Sequence, residues 1–249
     1  MNEQVGQNPI SFGEKVAVIT GASRGIGRAI ALGLAAEGCA VALAARSAQR
    51  IERLAGEIES KGGRAVAIPT DLTVDRDLSA LIEITQEALG RIDFLINNAG
   101  IRLSGPVEGF PTRHWDAMMT VNARAPFILS RLAIPHLRAA GGGAIVNISS
   151  IVGIQGFPNQ AAYSASKHAL MGLSKALAAE LKADGIRVHT VCLGGVDTDM
   201  AADSPSGLDR VTLIAPDRIA EIVLFLLRLG GNAVIDDVHV QRAAGNPWF

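Results

Sequence analysis

The sequence predicts an α/β fold: a doubly wound parallel sheet of about seven strands, of the Rossmann type, in a single domain. Short runs rich in valine and isoleucine alternate along the chain with segments of helical periodicity. The first of these runs ends in a glycine-rich turn that opens a helix. The 249 residues, 49% of them hydrophobic, can bury one large core and show no repeat or linker. We therefore expect residues 14–249 to form this domain, behind a flexible N-terminal tail at residues 1–13.

The predicted elements alternate in chain order. Apolar runs predict strands at residues 15–20, 41–45, 65–69, 94–98, 144–149, 187–193 and 238–241. Helical spacing predicts helices at residues 28–37, 49–61, 75–89, 115–138, 162–184 and 216–228. Pro126 and Pro135 are expected to bend the fourth helix or to end its turns. Such alternation calls for right-handed crossovers and helices on both faces of the sheet. The loop at 201–216, rich in Ser, Pro, Gly and Asp, is the predicted mobile segment.

Composition narrows the class of partner. With 23 basic and 24 acidic residues the chain lacks the basic field that nucleic acid or an anionic membrane surface requires, so we expect a small-molecule partner. The longest apolar stretch, 222–227, is too short to span a bilayer, and residues 1–13 lack a signal-peptide core. Cys39 and Cys192 lie in apolar, strand-like surroundings, which predicts buried thiols and a cytoplasmic location. The five histidines show no ligand or triad spacing, so we expect no metal.

The glycine-rich turn runs from Thr20 to Gly27 between the first strand and the first helix. Backbone N–H groups at a helix N-terminus attract a pyrophosphate, and glycine permits its close approach. The glycines are Gly21, Gly25 and Gly27, a spacing that departs from the G-x-G-x-x-G fingerprint. The turn therefore predicts a dinucleotide site, with a tight turn that binds no ligand as the alternative.

Tyr163, the only tyrosine of the chain, has Lys167 four residues downstream. Residues four apart share one face of a helix, so the ammonium is expected to favour the ionised phenol and to make it an acid–base catalyst. Ser149 and Ser150 end the strand predicted at 144–149. Since side chains alternate along a strand, only one of the two serines is expected to point into the cleft.

These motifs, in this order, resemble the short-chain dehydrogenase/reductase family over residues 15–228. The turn reads Thr-Gly-x-x-x-Gly-x-Gly, and Asp71-Leu72 and Asn97-Asn98-Ala99-Gly100 resemble the adenine-side and sheet-stabilising elements of the family. The resemblance implies a catalytic set, which is Asn122, Ser150, Tyr163 and Lys167. Within it Ser150, which opens a Ser-x-x-Gly turn, is preferred to Ser149. The resemblance also implies that Lys167 binds the nicotinamide ribose. For Asn122 it implies a bound water that links Lys167 to solvent. The alternative role for Asn122 is a hydrogen bond to a helix end.

The second predicted strand ends in Ala45 and Arg46, where a carboxylate would select NAD. With no carboxylate there, and with Arg24 nearby in the turn, we expect two guanidinium groups to bind the 2'-phosphate of NADP, NAD remaining possible. The alternative is that both are solvated surface charges. The residues predicted to bind the cofactor are Gly21, Ser23, Arg24, Ile26, Gly27, Arg46, Asp71, Leu72, Asn98, Ala99, Gly100, Tyr163, Lys167, Val196 and Thr198.

The function implied by the resemblance is NADP-dependent, reversible reduction of a ketone or 3-oxoacyl-type carbonyl to an alcohol. The alternatives are an NAD-linked alcohol or sugar dehydrogenase and a non-catalytic dinucleotide-sensing protein. Leu193 departs from the family pattern, in which a proline is usual. Asp197, Asp199 and Asp203 are interpreted as capping and loop groups, not as a cation site. The resemblance also implies a homo-oligomer, a dimer or homotetramer, and Trp248 and Phe249 are expected to pack either on a partner subunit or on their own domain.

Overall fold

The computed structural model of the protein describes residues 10–202 and 210–245. Over these residues the strands are β1 (Val16–Thr20), β2 (Ala40–Ala45), β3 (Ala65–Pro69), β4 (Phe94–Asn97), β5 (Gly143–Ser150), β6 (Ile186–Leu193) and β7 (Asp237–Val240). The helices are α1 (Gly25–Ala36), α2 (Ala48–Ser60), α3 (Asp75–Leu89), α4 (Thr112–Met119), α5 (Ala125–Ala139), α6 (Ala161–Leu181), α7 (Asp199–Ala202) and α8 (Pro216–Arg228).

All strand pairs are parallel, and the sheet has the order β3-β2-β1-β4-β5-β6-β7. The predicted seven-stranded, doubly wound sheet in one domain is therefore confirmed. The winding reverses between β1 and β4, and in folds of this kind ligands bind at the carboxyl ends of the strands beside that switch point. This topology places the turn after β1 and the ends of β4, β5 and β6 at a single edge.

Two apolar layers sandwich the sheet, because neighbouring side chains of each buried strand point to opposite faces. In β1, Ala17 and Ile19 pack into the layer built with α1, α2 and α8. Val18, between them, packs into the layer built with α3, α5 and α6. All five residues of β1 are buried, which explains why its sequence reads as a continuous apolar run instead of an alternating one.

The main departure from the predicted elements lies in the fourth helical segment. Pro135 was expected to bend or end a turn, yet α5 continues through it to Ala139. Arg131, whose carbonyl loses its helical partner at Pro135, is exposed, as is Pro135 itself, so this part of α5 faces solvent. The buried Ala133 and Leu137 keep the helix packed on the sheet. A π-helical turn, Thr120–Arg124, joins α4 to α5 and was not predicted.

Some predictions fall outside the described residues. These are most of the tail at 1–13, the centre of the loop at 201–216 with Asp203, and Trp248 and Phe249. Within the described ranges, no helix combines the length and the apolar character needed to cross a bilayer. Cys39 and Cys192 are both buried free thiols, as expected.

Candidate active site

A cleft of about 1090 Å³ opens at the carboxyl ends of the strands. It is large for a ligand site, since such pockets typically enclose about 300–1,000 Å³. Every predicted site residue lines it except Gly27 and Asn122. The sheet therefore brings together predicted site residues that lie up to 177 residues apart in sequence, from Gly21 to Thr198.

The glycine turn forms one wall of the cleft, and the packing explains its spacing. Gly21 and Gly25 have φ values of +67° and +53°, in the left-handed region that favours glycine. Glycine is required at position 27 for a different reason. A Cβ there would lie 2.4 Å from the carbonyl oxygen of Gly21 and 2.5 Å from Nδ2 of Asn98. Gly27 thus lets α1 pack directly on the turn, without lining the cleft itself.

Asn98 ties β1 to the end of β4. Its Nδ2 donates to the carbonyl oxygen of Thr20 at 2.7 Å and to that of Gly21 at 3.3 Å. The hydroxyl of Thr20 in turn accepts from the backbone N–H groups of Asn98 and Ala99, both at 3.0 Å. This network fixes the turn, as expected for a sheet-stabilising motif, and keeps backbone N–H groups at the start of α1 facing the cleft.

The end of β2 presents unpaired positive charge. Arg46 and Arg50 are exposed and line the cleft, and their guanidinium groups form no hydrogen bond or ion pair with the described residues. Arg50, in the first turn of α2, was not singled out from the sequence. Arg24, the predicted partner of Arg46, instead forms an ion pair with Asp199 across the cleft.

Asp71, which follows β3, also lines the cleft. Its Oδ1 accepts from the backbone N–H of Thr73 at 2.9 Å and from the hydroxyl of Thr73 at 2.8 Å. These hydrogen bonds hold the pKa of the Asp71 carboxyl below its usual value, and the charge of Arg46 acts in the same direction. The carboxylate is therefore an ionised acceptor at the edge of the cleft, and Leu72 beside it adds an apolar surface.

Tyr163 and Lys167 lie one turn apart on α6, with exposures of only 7% and 4%. The ammonium nitrogen of Lys167 is 6.0 Å from the centre of the Tyr163 ring and donates to the carbonyl oxygen of Ile148 at 2.9 Å. Burial lowers the pKa of Lys167 to about 8. Burial also raises the pKa of Tyr163, while the Ser150 hydroxyl and the charge of Arg102 act in the opposite direction.

The net shift of the Tyr163 pKa is upward, so burial of the phenol outweighs the groups that favour its ionised form. Removing a phenol from water penalises its charged form, and in the chain without ligand this effect outweighs the neighbouring positive charges. The resting group is therefore a neutral phenol that can donate a proton.

Ser150 is the last residue of β5, and its hydroxyl lies at the cleft beside the phenol of Tyr163. It donates to the carbonyl oxygen of Leu193 at 3.2 Å and accepts from the N–H of Val152 at 3.4 Å. Both contacts are long, so the hydroxyl can exchange its partner. Ser149 is buried under Gly153, where a Cβ would come within 2.8 Å of the serine oxygen.

Asn122 lies in the π-helical turn and is completely buried. Its Oδ1 accepts from the N–H of Ile101, and its Nδ2 donates to the carbonyl oxygen of Ile101, both at 2.9 Å. A further bond runs from Nδ2 to the hydroxyl of Ser166 at 3.0 Å. Both amide hydrogens are thus used, and the side chain holds the loop after β4 instead of capping a helix end.

The segment after β6 closes the cleft. Val196 and Thr198 line it, as predicted, and Asp197 accepts from Arg210 at 2.6 Å. Among residues 10–202 and 210–245 there is no group of three His, Cys, Asp or Glu side chains that could hold a metal ion. Two further arginines, Arg102 and Arg242, also line the cleft, and nothing in the local sequence of Arg242 indicates that the fold brings it there.

Comparison with known proteins gives consistent matches. A family model described as short chain dehydrogenase matches residues 15–209. A 3-oxoacyl-[acyl-carrier-protein] reductase of Thermotoga maritima is 36% identical over 221 residues, covering 85% of this chain and 89% of the relative. A metagenomic short-chain oxidoreductase solved in complex with NADP superposes with a TM-score of 0.82 at 36% identity, covering 94% of this chain and 100% of that one. An alcohol dehydrogenase of Thermococcus sibiricus, complexed with 5-hydroxy-NADP, superposes with a TM-score of 0.87 at 30% identity, covering 94% of this chain and 99% of that one.

Proposed function

The chain belongs to the short-chain dehydrogenase family, and on that premise we propose that it is an NADP-dependent enzyme that reversibly reduces a ketone or 3-oxoacyl-type carbonyl to an alcohol. The observation that carries the proposal is the buried Tyr163 and Lys167 pair at the cleft, beside the Ser150 hydroxyl. A neutral phenol, a hydroxyl and a cation are the groups that protonation of a carbonyl oxygen requires.

The cleft residues fit a dinucleotide that carries a 2'-phosphate. The turn at Gly21 and Gly25 lines the cleft and leads into the start of α1, where backbone N–H groups favour a pyrophosphate. At the end of β2, Arg46 and Arg50 offer guanidinium groups without an acidic partner among the described residues, and no carboxylate follows Ala45. These features favour NADP over NAD. Two structural relatives were solved with NADP or 5-hydroxy-NADP, which supports the same choice.

The reaction adds a hydride to the carbonyl carbon and a proton to its oxygen. The chemistry that NADPH would supply when bound is the hydride, with NADP⁺ as the oxidised product. As the C=O π bond breaks, Tyr163 donates its phenolic proton to the oxygen, which takes the electron pair. Ser150 turns from the Leu193 carbonyl to donate to the same oxygen and stabilises its developing charge. The Tyr163 phenolate that results is stabilised by the Lys167 ammonium until it regains a proton from solvent.

Proton return needs a path between Lys167 and water. Lys167 has three N–H donors, and one of them is used by the Ile148 carbonyl. A Cβ at Gly100 would lie 3.6 Å from the lysine nitrogen and 3.3 Å from Oδ1 of Asn122, so the glycine keeps the space between these groups open. We place the bridging water of the relay there or at the backbone carbonyl of Asn122, because the amide hydrogens of its side chain are already used.

Turnover of a panel of ketones with NADPH tests the proposal. Replacing Tyr163 by Phe should remove the proton donor and lower kcat by about 100-fold or more, with the fold and NADPH binding retained. Ser149→Ala is the matched control, since Ser149 is expected to be a structural hydroxyl and should keep most of kcat. Substantial kcat in Tyr163→Phe would refute the assignment. Tight NADPH binding without turnover of any ketone or alcohol would favour a dinucleotide sensor instead.

Three further expectations stay predictions: the cytoplasmic location, the homo-oligomer (dimer or tetramer), and the alternative that the protein acts as an NAD-linked alcohol or sugar dehydrogenase. Measurement of the molar mass in solution tests the predicted homo-oligomer. Comparison of NAD⁺ and NADP⁺ in alcohol oxidation tests the third.

A further inference from the structure

Arg102 is a partly buried arginine that lines the cleft and has no carboxylate partner among the described residues. One of its terminal nitrogens donates to the carbonyl oxygen of Met200 at 2.6 Å. The guanidinium has five N–H donors and stays charged at every working pH, so most of its capacity faces the cleft unused. Burying part of such a charge without an anion is costly, and this indicates that an anion from outside completes the site.

The position of Arg102 is fixed by the same residues that build the proposed catalytic end. Ile101, which precedes it, is held through both its N–H and its carbonyl by the Asn122 side chain, at 2.9 Å each. Gly100, one residue earlier, faces the ammonium of Lys167. The arginine therefore extends from a rigid backbone next to Tyr163, and its charge is close enough to lower the pKa of that phenol.

Arg242 is a second cation that lines the cleft and forms no ion pair with the described residues. Arg242 follows β7, and its side chain runs along Gly195, where a Cβ would be 3.2 Å from its Cδ. Its guanidinium donates only to the Thr212 hydroxyl, at 3.3 Å, among the contacts that the described residues offer. The carboxylates of the β6 segment do not neutralise it, because Asp197 and Asp199 are already paired with other arginines.

We propose that the carbonyl substrate carries a carboxylate and that Arg102 binds this group, with Arg242 adding to the positive field. The inference rests on the proposed reductase function and specifies its substrate class. A planar guanidinium matches a carboxylate through two parallel hydrogen bonds, which fixes the orientation of the ligand as well as attracting it. Binding the carboxylate at Arg102 places the ketone of the same molecule at Tyr163 and Ser150.

The opposing explanation is that Arg102 only ties α7 to the loop after β4 through the Met200 carbonyl. A structural tie of this kind would affect charged and neutral substrates equally. Pairs of substrates that differ only in charge therefore separate the two explanations: acetoacetate against methyl acetoacetate, and 4-oxopentanoate against methyl 4-oxopentanoate. The assay is NADPH oxidation by the full chain, with kcat/KM measured for each member of a pair.

The wild type should favour the acid of at least one pair by about 10- to 100-fold, the range expected for a charge-assisted contact. Arg102→Gln should bring that ratio close to one by lowering kcat/KM for the acid while leaving the ester within about twofold. Arg102→Lys should retain part of the preference for the acid, since lysine keeps the positive charge but cannot form the two parallel hydrogen bonds of a guanidinium. Arg113→Gln, at an exposed arginine of α4 away from the cleft, is the matched control and should change neither value.

A wild type that prefers the ester, or an Arg102→Gln variant that loses acid and ester turnover equally, would overturn the inference and leave the reductase proposal intact. Absence of turnover with every ketone would refute the proposed function instead. In that case, calorimetric titration of the NADP⁺-saturated protein with 4-oxopentanoate and with its methyl ester tests carboxylate binding at Arg102 without requiring turnover. Tighter binding of the acid that disappears in Arg102→Gln supports the carboxylate site, and equal binding overturns it.

Discussion

Raising the pH should deprotonate Lys167 before Tyr163, and this separates the two groups in a kinetic experiment. Burial lowers the pKa of Lys167 from 10.5 to about 8, a shift that corresponds to about 3 kcal/mol against the ammonium in the folded chain. The pKa of Tyr163 is raised by burial, so the phenol remains a proton donor over the same range. Loss of activity in reduction between about pH 8 and pH 10 should therefore report the lysine.

The parameter to measure is kcat/KM for NADPH at saturating ketone, because it reports ionisations of the free enzyme. It should be constant below about pH 8 and fall by about tenfold per pH unit above it, if only the ammonium form of Lys167 supports turnover. A value unchanged up to about pH 9.5 would refute the reasoning. So would an identical decline, with the same midpoint, in Lys167→Met.

Stability provides a readout that needs no turnover. The folded pKa of Lys167 lies below its ordinary value, so the cost of burying the ammonium is fully present below about pH 8 and disappears as the pH rises through 10.5. The free energy of unfolding of the wild type, taken relative to Lys167→Met, should therefore rise by up to about 3 kcal/mol across this window. Activity and relative stability should thus change in opposite directions. A difference between the two proteins that does not vary with pH would contradict the assigned shift.

Two further perturbations test the cofactor end. Arg46→Ala should lower the ratio of kcat/KM for NADPH to kcat/KM for NADH by about 10- to 100-fold, because a charge-assisted contact is lost. Arg53→Ala, on the exposed side of α2, is the control and should leave this ratio unchanged. An unchanged ratio in Arg46→Ala would argue against a role of Arg46 in binding the 2'-phosphate. Gly27→Ala should cost about 1–3 kcal/mol in chemical denaturation, because its Cβ would lie 2.4 Å from the Gly21 carbonyl oxygen. Gly56→Ala, a helical position with nothing within 4 Å of the added Cβ, should stabilise the chain, and equal effects of the two substitutions would contradict the packing argument.

The fold was predictable because its determinants are local. A strand buried on both faces, such as β1, needs a continuous apolar run, and the turn after it needs glycine where φ is positive, as at Gly21. These requirements appear within a few residues of sequence. Pro135 shows the limit of such local rules, because a lost hydrogen bond ends a helix only where water cannot replace it. Whether the position is exposed depends on how α5 packs on the sheet.

The candidate site was predictable in its members and less so in its electrostatics. Tyr163 and Lys167 are found by their spacing, but the direction of the tyrosine shift depends on how deeply α6 buries the phenol. The role of Asn122 likewise follows from a π-helical turn that aims its amide at Ile101, which no pattern in the sequence indicates. Arg242 reaches the cleft only because β7 pairs with β6 at the far side of the sheet.

The electrostatics of the cleft fit the first step of the proposed reduction. Reduction begins with a protonated phenol, which is the form that burial of Tyr163 stabilises. Oxidation of an alcohol would begin with a phenolate, and its formation requires the ammonium of Lys167, which burial weakens. At neutral pH Lys167 is still charged and Tyr163 is still neutral, so the chain is prepared to deliver a proton and to stabilise the anion that remains.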